Sequence, residues 1–146
     1  MSKFAIFPGS FDPLHKGHIN IIKRASQLFD VLYVAVSFNS AKKQDNLDAR
    51  YQKVVVKLKS LKLRNVKVVK NETLTVDKAK ELNCKYIVRS VRDLKDYKYE
   101  MLIAQNNHKL SKDIETILFI ADKDLAKVNS TNLRSELAKV KKIGGK

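Results

Sequence analysis

One segment near the N-terminus combines two histidines and two glycines at a spacing suited to holding phosphate. It reads Pro8-Gly-Ser-Phe-Asp-Pro-Leu-His-Lys-Gly-His18 and follows a short apolar run. Gly9 and Gly17 lack side chains, so the phosphates of a ligand can approach the backbone closely. A helix beginning near Gly17 directs its free amides and the positive end of its dipole at the same space, where His15 and His18 share one helix face. We predict a polyphosphate cradle whose hydrogen bonds strengthen as charge builds on a reacting phosphorus.

The same two histidines could instead bind a metal ion or form an inert structural pair. A metal site needs a third ligand and usually a nearby carboxylate or Cys, and His108 and Cys84 belong to other predicted elements. The glycines and turn residues favour phosphate, so we predict no metal held by protein ligands. Asp12 is expected to brace the loop by accepting backbone amides. The G-x-G-x-x-G and G-x-x-x-x-G-K-[ST] motifs are absent, which weighs against dinucleotide and P-loop chemistry.

Length and composition indicate a globular protein. The 146 residues fit a single domain over 1–146. Cys84 is the one cysteine, so no internal disulfide forms, which is typical of a reducing compartment. No apolar run approaches the roughly 18 residues needed to cross a bilayer, and Met1–Phe7 lacks the features of a secretion signal. We therefore expect a cytoplasmic location and no membrane partner.

The chain is strongly basic, with 30 Lys and Arg against 15 Asp and Glu and a formal net charge of +15. Such a charge fits an anionic partner, and it also fits a solvated lysine-rich surface. The basic residues are mostly Lys and are spread along the chain, which favours the solvated surface, because bidentate phosphate and base recognition prefers Arg. No groove-reading motif and no interleaving of aromatics with Arg is present. A basic nucleic-acid-binding module is therefore kept only as the non-enzyme alternative, and no specific nucleic acid is expected as a partner.

Apolar runs alternate with stretches of helical spacing along the chain. The predicted strands are Lys3–Pro8, Val31–Val36, Val66–Val69, Lys85–Arg89 and Glu115–Ala121. The predicted helices are Gly17–Phe29, Leu47–Leu61, Val76–Leu82, Tyr97–Leu110 and Ser130–Val140. This order predicts an α/β fold, a Rossmann-like doubly wound five-stranded parallel sheet with helices on both faces. Ligands of such sheets bind beyond the carboxyl ends of the strands, at the switch point, so functional residues are expected in the connections that follow the strands.

Three segments together resemble a known family. Gly9–His18 resembles the signature of the nucleotidyltransferase superfamily with an [HT]-x-G-H motif, and Asn129–Arg134 resembles its I-S-S-T-x-x-R motif, with Asn129 replacing the first Ser. Ile87–Arg92 followed by Asp96–Leu110 is similar to the I-R-G-[LV]-R and D-[FY]-x-Y-E-x-x-[ML]-A-x-x-N-x-x-L pattern of the phosphopantetheine adenylyltransferase family. The resemblance covers nearly the whole chain in order, and its third segment is the most specific.

The resemblance implies a reaction that moves the adenylyl group of ATP onto 4′-phosphopantetheine, giving dephospho-coenzyme A and pyrophosphate. The nucleophile is a phosphate with a second pKa of about 6, so it is largely a dianion near neutral pH and needs no general base. The enzyme must align two anions and stabilise charge at the α-phosphorus. Mg²⁺ is expected as the cofactor, bound mainly by the nucleotide phosphates, because this ion keeps its water ligands.

The resemblance also implies roles for individual residues. Catalytic roles fall on His18, which would stabilise the transition state, and on Lys42 and Arg92. The implied acceptor-binding residues are Ser10, Lys42, Thr75 and Arg89. The implied ATP-binding residues are Ser10, Phe11, His15, Gly17, His18, Ser90, Val91, Arg92, Glu100, Leu125, Ala126, Lys127, Val128, Asn129, Ser130 and Thr131.

Several alternatives and departures accompany this resemblance. The acceptor could be that of a sister family, such as nicotinate mononucleotide adenylyltransferase or glycerol-3-phosphate cytidylyltransferase. Ser90 replaces a usual Gly, and Asn20 stands where the family often has Asp. Glu100 could simply pair with Lys98 or Arg92, and the tyrosines beside it, at positions 97 and 99, are expected to be packing residues. The family further implies a homohexamer and feedback by coenzyme A.

Overall fold

Strands and helices alternate because apolar β-branched runs are separated by amphipathic segments. A computed structural model describes residues 2–39 and 46–122. The strands are β1 (Phe4–Gly9), β2 (Val31–Ser37), β3 (Val66–Asn71), β4 (Tyr86–Val91) and β5 (Glu115–Ile120). The helices are α1 (Lys16–Ser26), α2 (Leu47–Ser60), α3 (Thr75–Glu81) and α4 (Leu94–Leu110). The predicted α/β fold with a five-stranded parallel sheet is confirmed.

The sheet order β3-β2-β1-β4-β5 places the switch point between β1 and β4. β1 pairs with β2 over six residue pairs, and β4 pairs with β5 over six. In contrast, β1 and β4 pair at Ala5–Tyr86 and Ile6–Ile87. Beyond these two pairs the strands diverge towards their carboxyl ends. The divergence opens the crevice in which such folds bind ligands.

Side chains of the central strand alternate between two apolar cores. Ala5 and Phe7 of β1 point to the core beneath α1 and α2, where Ile22 and Val54 are fully buried. Ile6 points to the opposite core, beneath α3, with Ile87 and Ala79 among its members. The period of two along β1 and burial on both faces are typical of a central parallel strand. Packing on both faces holds the carboxyl end of β1 rigidly at the crevice.

Helix α4 differs from its prediction in its start and in its burial. It begins at Leu94 and not at Tyr97, because the carboxylate of Asp93 caps it by accepting the Asp96 amide at 2.8 Å. Tyr97 and Tyr99, which are expected to be packing residues, are instead 44% and 62% exposed. Glu100 is the one residue of this helix that is buried.

Two further expectations concern the chain as a whole. The predicted last helix, Ser130–Val140, lies outside the described residues, and the single domain over 1–146 stays a prediction. Across residues 2–39 and 46–122, no helix has the length and apolar character required to cross a bilayer.

Candidate active site

Two cavities adjoin at the switch point, beyond the carboxyl ends of β1 and β4. The one called here the His18 cavity is lined by residues that include Phe11, His15, His18, Ser90, Arg92 and Tyr99. The one called the Thr75 cavity is lined by residues that include Ser10, Phe38, Asn39, Thr75, Ile103 and Asn107. Their volumes are about 330 and 300 Å³. Pro8, Gly9 and Arg89 line both cavities, so a ligand in one can reach a ligand in the other beside Arg89.

The side chains of His15 and His18 each accept the backbone amide of the other at the start of α1. The Nδ1 atom of His15 accepts the amides of Gly17 at 3.0 Å and of His18 at 3.4 Å. The Nδ1 atom of His18 accepts the amide of His15 at 3.1 Å. The expectation that free amides of this turn face the ligand is therefore wrong for Gly17 and His18, whose N–H groups are already bonded. Because both Nδ1 atoms accept, each neutral ring has its proton on Nε2, and the imidazoles themselves become the donors.

Gly17 is required by this mutual cap. A Cβ atom added at Gly17 would lie 2.9 Å from Cε1 of His15 and 3.0 Å from its Nδ1. The His15 ring folds back over the helix start and stacks on the His18 ring, with centroids 3.7 Å apart and planes inclined by 23°. The glycine of the motif thus leaves room for the capping imidazole as well as for a ligand.

The His18 ring is held neutral at the edge of the His18 cavity. Its burial, followed by the nearby His15 and Arg92, lowers its pKa from 6.5 to about 4. At neutral pH, the His18 ring can therefore donate a hydrogen bond from Nε2 but does not carry a full positive charge. Such a donor contributes most when negative charge grows on the phosphate oxygens during the reaction.

Phe11 supports the His18 ring from below. Its φ of 49° is in the left-handed region, which is unusual for a bulky residue. The side chain is 3% exposed, and its ring lies 4.9 Å from the His18 ring, edge to face. A Cβ atom at Gly9 would come within 3.1 Å of the Phe11 ring. Phe11 borders the cavity, so its predicted ATP contact stays a prediction beside this packing role.

Arg89 spans the border between the two cavities and is oriented by Glu100. Its Nε and Nη2 atoms donate to the two carboxylate oxygens of Glu100 at 2.7 and 2.6 Å. Its Nη1 atom donates to the carbonyl oxygen of Pro8 at 3.0 Å. The Glu100 side chain is 7% exposed, and such bidentate pairs fix the plane of the guanidinium. The alternative pairing of Glu100 with Lys98 or Arg92 is wrong.

Within residues 2–39 and 46–122, Arg89 has two N–H bonds with no described acceptor, since three of its five donors are used. The Arg89 side chain is 25% exposed. Its plane is fixed by Glu100, and its remaining donors are available at the junction of the cavities. This arrangement suits a phosphate that must be held in one orientation.

The other predicted site residues are distributed over both cavities. Ser10 and Thr75 line the Thr75 cavity, and Ser90 lines the His18 cavity. Val91 is buried, so its side chain faces the core and only its backbone could meet ATP. Arg92 is exposed at the rim and pairs with Asp96 at 3.0 Å. Lys42 and the predicted ATP-binding loop Leu125–Thr131 lie outside the described residues.

The departure at Asn20 is matched by a carboxylate from another element. Asn20 donates from Nδ2 to Asp122 at 2.9 Å and accepts from Arg24 at 3.1 Å. Arg24 also donates to the carbonyl of Ile120 at 2.8 Å and lies 3.6 Å from Asp122. The negative charge absent from position 20 is thus supplied by Asp122, just beyond β5. The network fastens the end of β5 to α1.

Sequence reasoning missed Arg50, whose side chain is 3% exposed beneath the site. The guanidinium donates to the carbonyl oxygens of Ser10 at 2.6 Å and Ser37 at 3.0 Å. A signal was present in the sequence, because Arg50 shares the inward spacing of Leu47 and Val54 on α2. A cation at a core position of an amphipathic helix indicates a buried acceptor.

The described residues supply no further ligand for a metal ion bound by His15 and His18. No group of three or more His, Cys, Asp or Glu side chains within residues 2–39 and 46–122 could hold a metal ion. The Nδ1 atoms of both histidines are used in the helix cap. The chemistry available at the site is therefore that of cations, imidazole donors and close backbone approach.

Comparison with known proteins gives consistent matches. The sequence profile of the family described as cytidylyltransferase-like matches residues 6–136. A protein of Malacoplasma penetrans named phosphopantetheine adenylyltransferase is 39% identical over 131 residues, which cover 90% of this chain and 87% of that protein. A protein of the same name from Mycoplasma capricolum is 44% identical over 135 residues, covering 90% and 94%.

One solved structure shows how widely the fold is shared. A lipopolysaccharide core biosynthesis protein from Thermoplasma volcanium superposes with a TM-score of 0.57 at 22% identity, covering 85% of this chain and 99% of that one. At this identity the likeness concerns the fold alone.

Proposed function

The chain belongs to the phosphopantetheine adenylyltransferase family, and we propose that its two adjoining cavities hold ATP and 4′-phosphopantetheine in line for adenylyl transfer. In this reaction an oxygen of the acceptor phosphate bonds to the α-phosphorus of ATP. The bond from the α-phosphorus to its bridging oxygen breaks, pyrophosphate leaves, and dephospho-coenzyme A forms. The reverse reaction uses the same alignment. Since these relatives are named phosphopantetheine adenylyltransferases, acceptors of sister families are not favoured.

The single observation that supports this arrangement is that Arg89 lines both cavities. We assign ATP to the His18 cavity. There, imidazole donors and Arg92 surround Gly9, whose lack of a side chain lets phosphates approach the backbone. We assign the pantetheine chain to the Thr75 cavity, whose lining includes apolar Ile103 together with the amide of Asn107. The acceptor phosphate then lies beside Arg89, next to the α-phosphorus.

The residues at this junction can support the transfer although none of them accepts a proton. The acceptor phosphate is largely ionised at neutral pH, because its second pKa is about 6. Arg89 offsets the repulsion between two anions and restrains the acceptor. The Nε2–H group of His18 donates to the phosphate oxygens as their charge grows. Lys42 and residues 125–131 are proposed to complete the site from segments outside the described residues.

We propose that Mg²⁺ accompanies the nucleotide. The described residues offer no cluster of metal ligands, which fits an ion that binds phosphate oxygens and water. When bound, the ion neutralises part of the phosphate charge. No protein side chain among those described needs to coordinate it.

The proposed assembly is a homohexamer, supported by exposed apolar side chains on α4 and β5. Leu94, Leu102 and Leu110 of α4 are 67%, 64% and 50% exposed, and Ile120 of β5 is 67% exposed. Apolar surface of this kind marks contact sites. Sedimentation velocity of the full chain, with Leu102→Glu as the variant, tests the assembly: the variant is expected to sediment as smaller species. An unchanged sedimentation coefficient would contradict a contact at Leu102.

Two smaller proposals follow from the same family membership. Coenzyme A is proposed as a feedback ligand, because it shares the pantetheine chain and adenylyl group that the two cavities would hold. A cytoplasmic location is proposed because Cys84 is free and buried, as expected in a reducing compartment.

Pyrophosphate release tests the function directly. The protein incubated with ATP, Mg²⁺ and 4′-phosphopantetheine is expected to release pyrophosphate and form dephospho-coenzyme A. Parallel incubations use nicotinate mononucleotide with ATP and glycerol-3-phosphate with CTP. Release with either of these, and none with 4′-phosphopantetheine, would contradict the proposal. Duplex DNA at physiological salt is expected not to bind; retained affinity would favour the nucleic-acid-binding alternative.

A further inference from the structure

Arg50 occupies a buried position between the carboxyl ends of β1 and β2. It lies in the first turn of α2, and its side chain is 3% exposed. Its Nη1 atom donates to the carbonyl oxygens of Ser10 at 2.6 Å and Ser37 at 3.0 Å. Its Nε atom donates to Oδ1 of Asn46 at 2.9 Å. One guanidinium therefore bridges three segments of the chain.

These bonds continue the sheet where its own ladder ends. The register of β1 and β2 closes at the pair Gly9–Val36. The next residues, Ser10 and Ser37, have carbonyl groups that Arg50 joins through Nη1. Charge-assisted bonds of this kind are shorter and stronger than neutral ones. The backbone of Ser10 is thus fixed although it lies past the last strand pair.

The position of Ser10 decides the geometry of both cavities. Ser10 lines the Thr75 cavity, and the next residue, Phe11, adopts the left-handed conformation that supports His18. Gly9 lies in the lining of both cavities. A shift of the Ser10 carbonyl would therefore move the loop that separates the two reacting phosphates.

We propose that Arg50 is a positioning residue that holds the Ser10 loop, through the Ser10 and Ser37 carbonyls, in the geometry that aligns the two phosphates for transfer. This inference rests on the proposed function of the cavities. The fork of the guanidinium, which reaches both carbonyl oxygens and the side chain of Asn46, accounts for the choice of arginine.

The test compares variants of Arg50 with a variant of Asn65, a bridge of the same kind at the other end of the sheet. Asn65 donates from Nδ2 to the carbonyl oxygens of Ser26 at 2.7 Å and Phe29 at 2.9 Å. Arg50→Lys keeps the charge but loses the fork, and Arg50→Met removes both. Asn65→Ala removes the control bridge and is expected to lower stability without touching the cavities.

Steady-state kinetics of the full chain, corrected for the folded fraction from urea unfolding, give the expected split. A misplaced reacting group costs on the order of 100-fold in rate, so kcat of Arg50→Met is expected to fall about 100-fold. The kcat of Arg50→Lys is expected to fall about 10-fold, to a value between those of the wild type and Arg50→Met. The KM for ATP is expected to change less than kcat, since His18 and Arg92 of the His18 cavity form no bond with Arg50 among the described contacts. Asn65→Ala is expected to keep kcat within about 2-fold.

Arg50→Lys decides the matter if Arg50→Met does not fold. A kcat that follows the folded fraction alone in Arg50→Lys, as in Asn65→Ala, overturns the proposal. Amide chemical shifts of Gly9, Ser10 and Phe11 in the free protein provide a readout that needs no activity. They are expected to change in Arg50→Lys and not in Asn65→Ala; unchanged shifts in Arg50→Lys overturn the positioning role. An inactive wild-type protein with the expected shift changes would instead count against the proposed function alone.

Discussion

The two ends of the sheet are held together by different chemistry. At the amino end, Asn65 ties two backbone carbonyls with a neutral amide. At the carboxyl end, Arg50 and Arg89 donate to carbonyls of the residues around the end of β1 from charged guanidinium groups. A neutral amide is sufficient to link two loops, and burying a guanidinium costs more free energy than burying an amide. The charged bridges thus lie at the end of the sheet where we propose that anionic ligands bind.

Left-handed residues divide between the same two ends. Lys62 and Asn83, at the amino end, have φ values of 55° and 59° in turns that follow α2 and α3. Phe11, at the carboxyl end, has a φ of 49° and a buried ring beneath His18. Strain at the amino end serves a turn that glycine could make. Strain at the carboxyl end positions a ring, which glycine could not.

Replacing a histidine at each end should give the largest contrast. His18→Ala removes the Nε2–H donor, and loss of one such donor lowers kcat by about 100- to 1,000-fold. His108→Ala, at the end of α4, removes an exposed ring 3.6 Å from Glu115 and is expected to keep kcat within about 2-fold. Pyrophosphate release measures both. Comparable rates for the two variants would remove the assigned role of His18.

An arginine exchange at each end should give the next largest contrast. Arg89→Lys keeps the charge but cannot form the bidentate pair with Glu100. Loss of charge-assisted bonds worth about 1.5–3 kcal/mol is expected to raise the KM for 4′-phosphopantetheine about 10- to 100-fold. Arg64→Lys, at an exposed residue before β3, is the matched control and should leave KM unchanged. An unaltered KM in Arg89→Lys would separate Arg89 from acceptor binding.

Acid should weaken the carboxyl end selectively. The pKa of His18 is lowered from 6.5 to about 4 by burial and by its neighbours, so the unfolded chain binds a proton first as the pH falls. The stabilisation that neutral His18 provides is complete above pH 6.5 and is lost between pH 6.5 and 4. Between pH 7 and pH 5, the free energy of unfolding of His18→Gln, measured in urea, is expected to fall less than that of the wild type. Equal losses in the two proteins would contradict the shift.

The smallest effect is expected from relieving strain at the amino end. Lys62→Gly accommodates the left-handed conformation after α2 and should raise the free energy of unfolding by about 1 kcal/mol, with kcat unchanged. Phe11→Gly relieves the same kind of strain but removes the support of His18, so kcat should fall. Urea unfolding and turnover of the two variants test this division. A rise in stability together with full activity in Phe11→Gly would erase the distinction.

Much of the fold was predictable from the sequence, because apolar β-branched runs such as Val31–Val36 and the helical spacing of α1 are local patterns. Strand and helix bounds differ by a few residues. The start of α4 was misplaced because Asp93 was not recognised as a cap, although Asp93 and Asp96 form a sequence signal of that kind. These errors concern ends, where short-range patterns are weakest.

The site was predictable in position but not in its pairings. The connections after β1 and β4 form the cavities, as the switch-point rule requires. Arg89 and Glu100 lie 11 positions apart in sequence, on β4 and α4, and no periodicity encodes their pairing. The bond of Arg50 to Ser10 spans 40 residues. Such bonds depend on the tertiary approach of elements, which spacing alone does not give.

The mutual cap of His15 and His18 has a consequence for how the [HT]-x-G-H signature can vary. The task of the first position is to accept amides at the start of α1, and the hydroxyl of Thr performs that task equally well. The second position also provides an outward donor, which Thr would place at a different distance. His and Thr can therefore exchange at the first position but not at the second. The variation that the motif allows reflects capping of the helix N-terminus and not a relaxed chemical requirement.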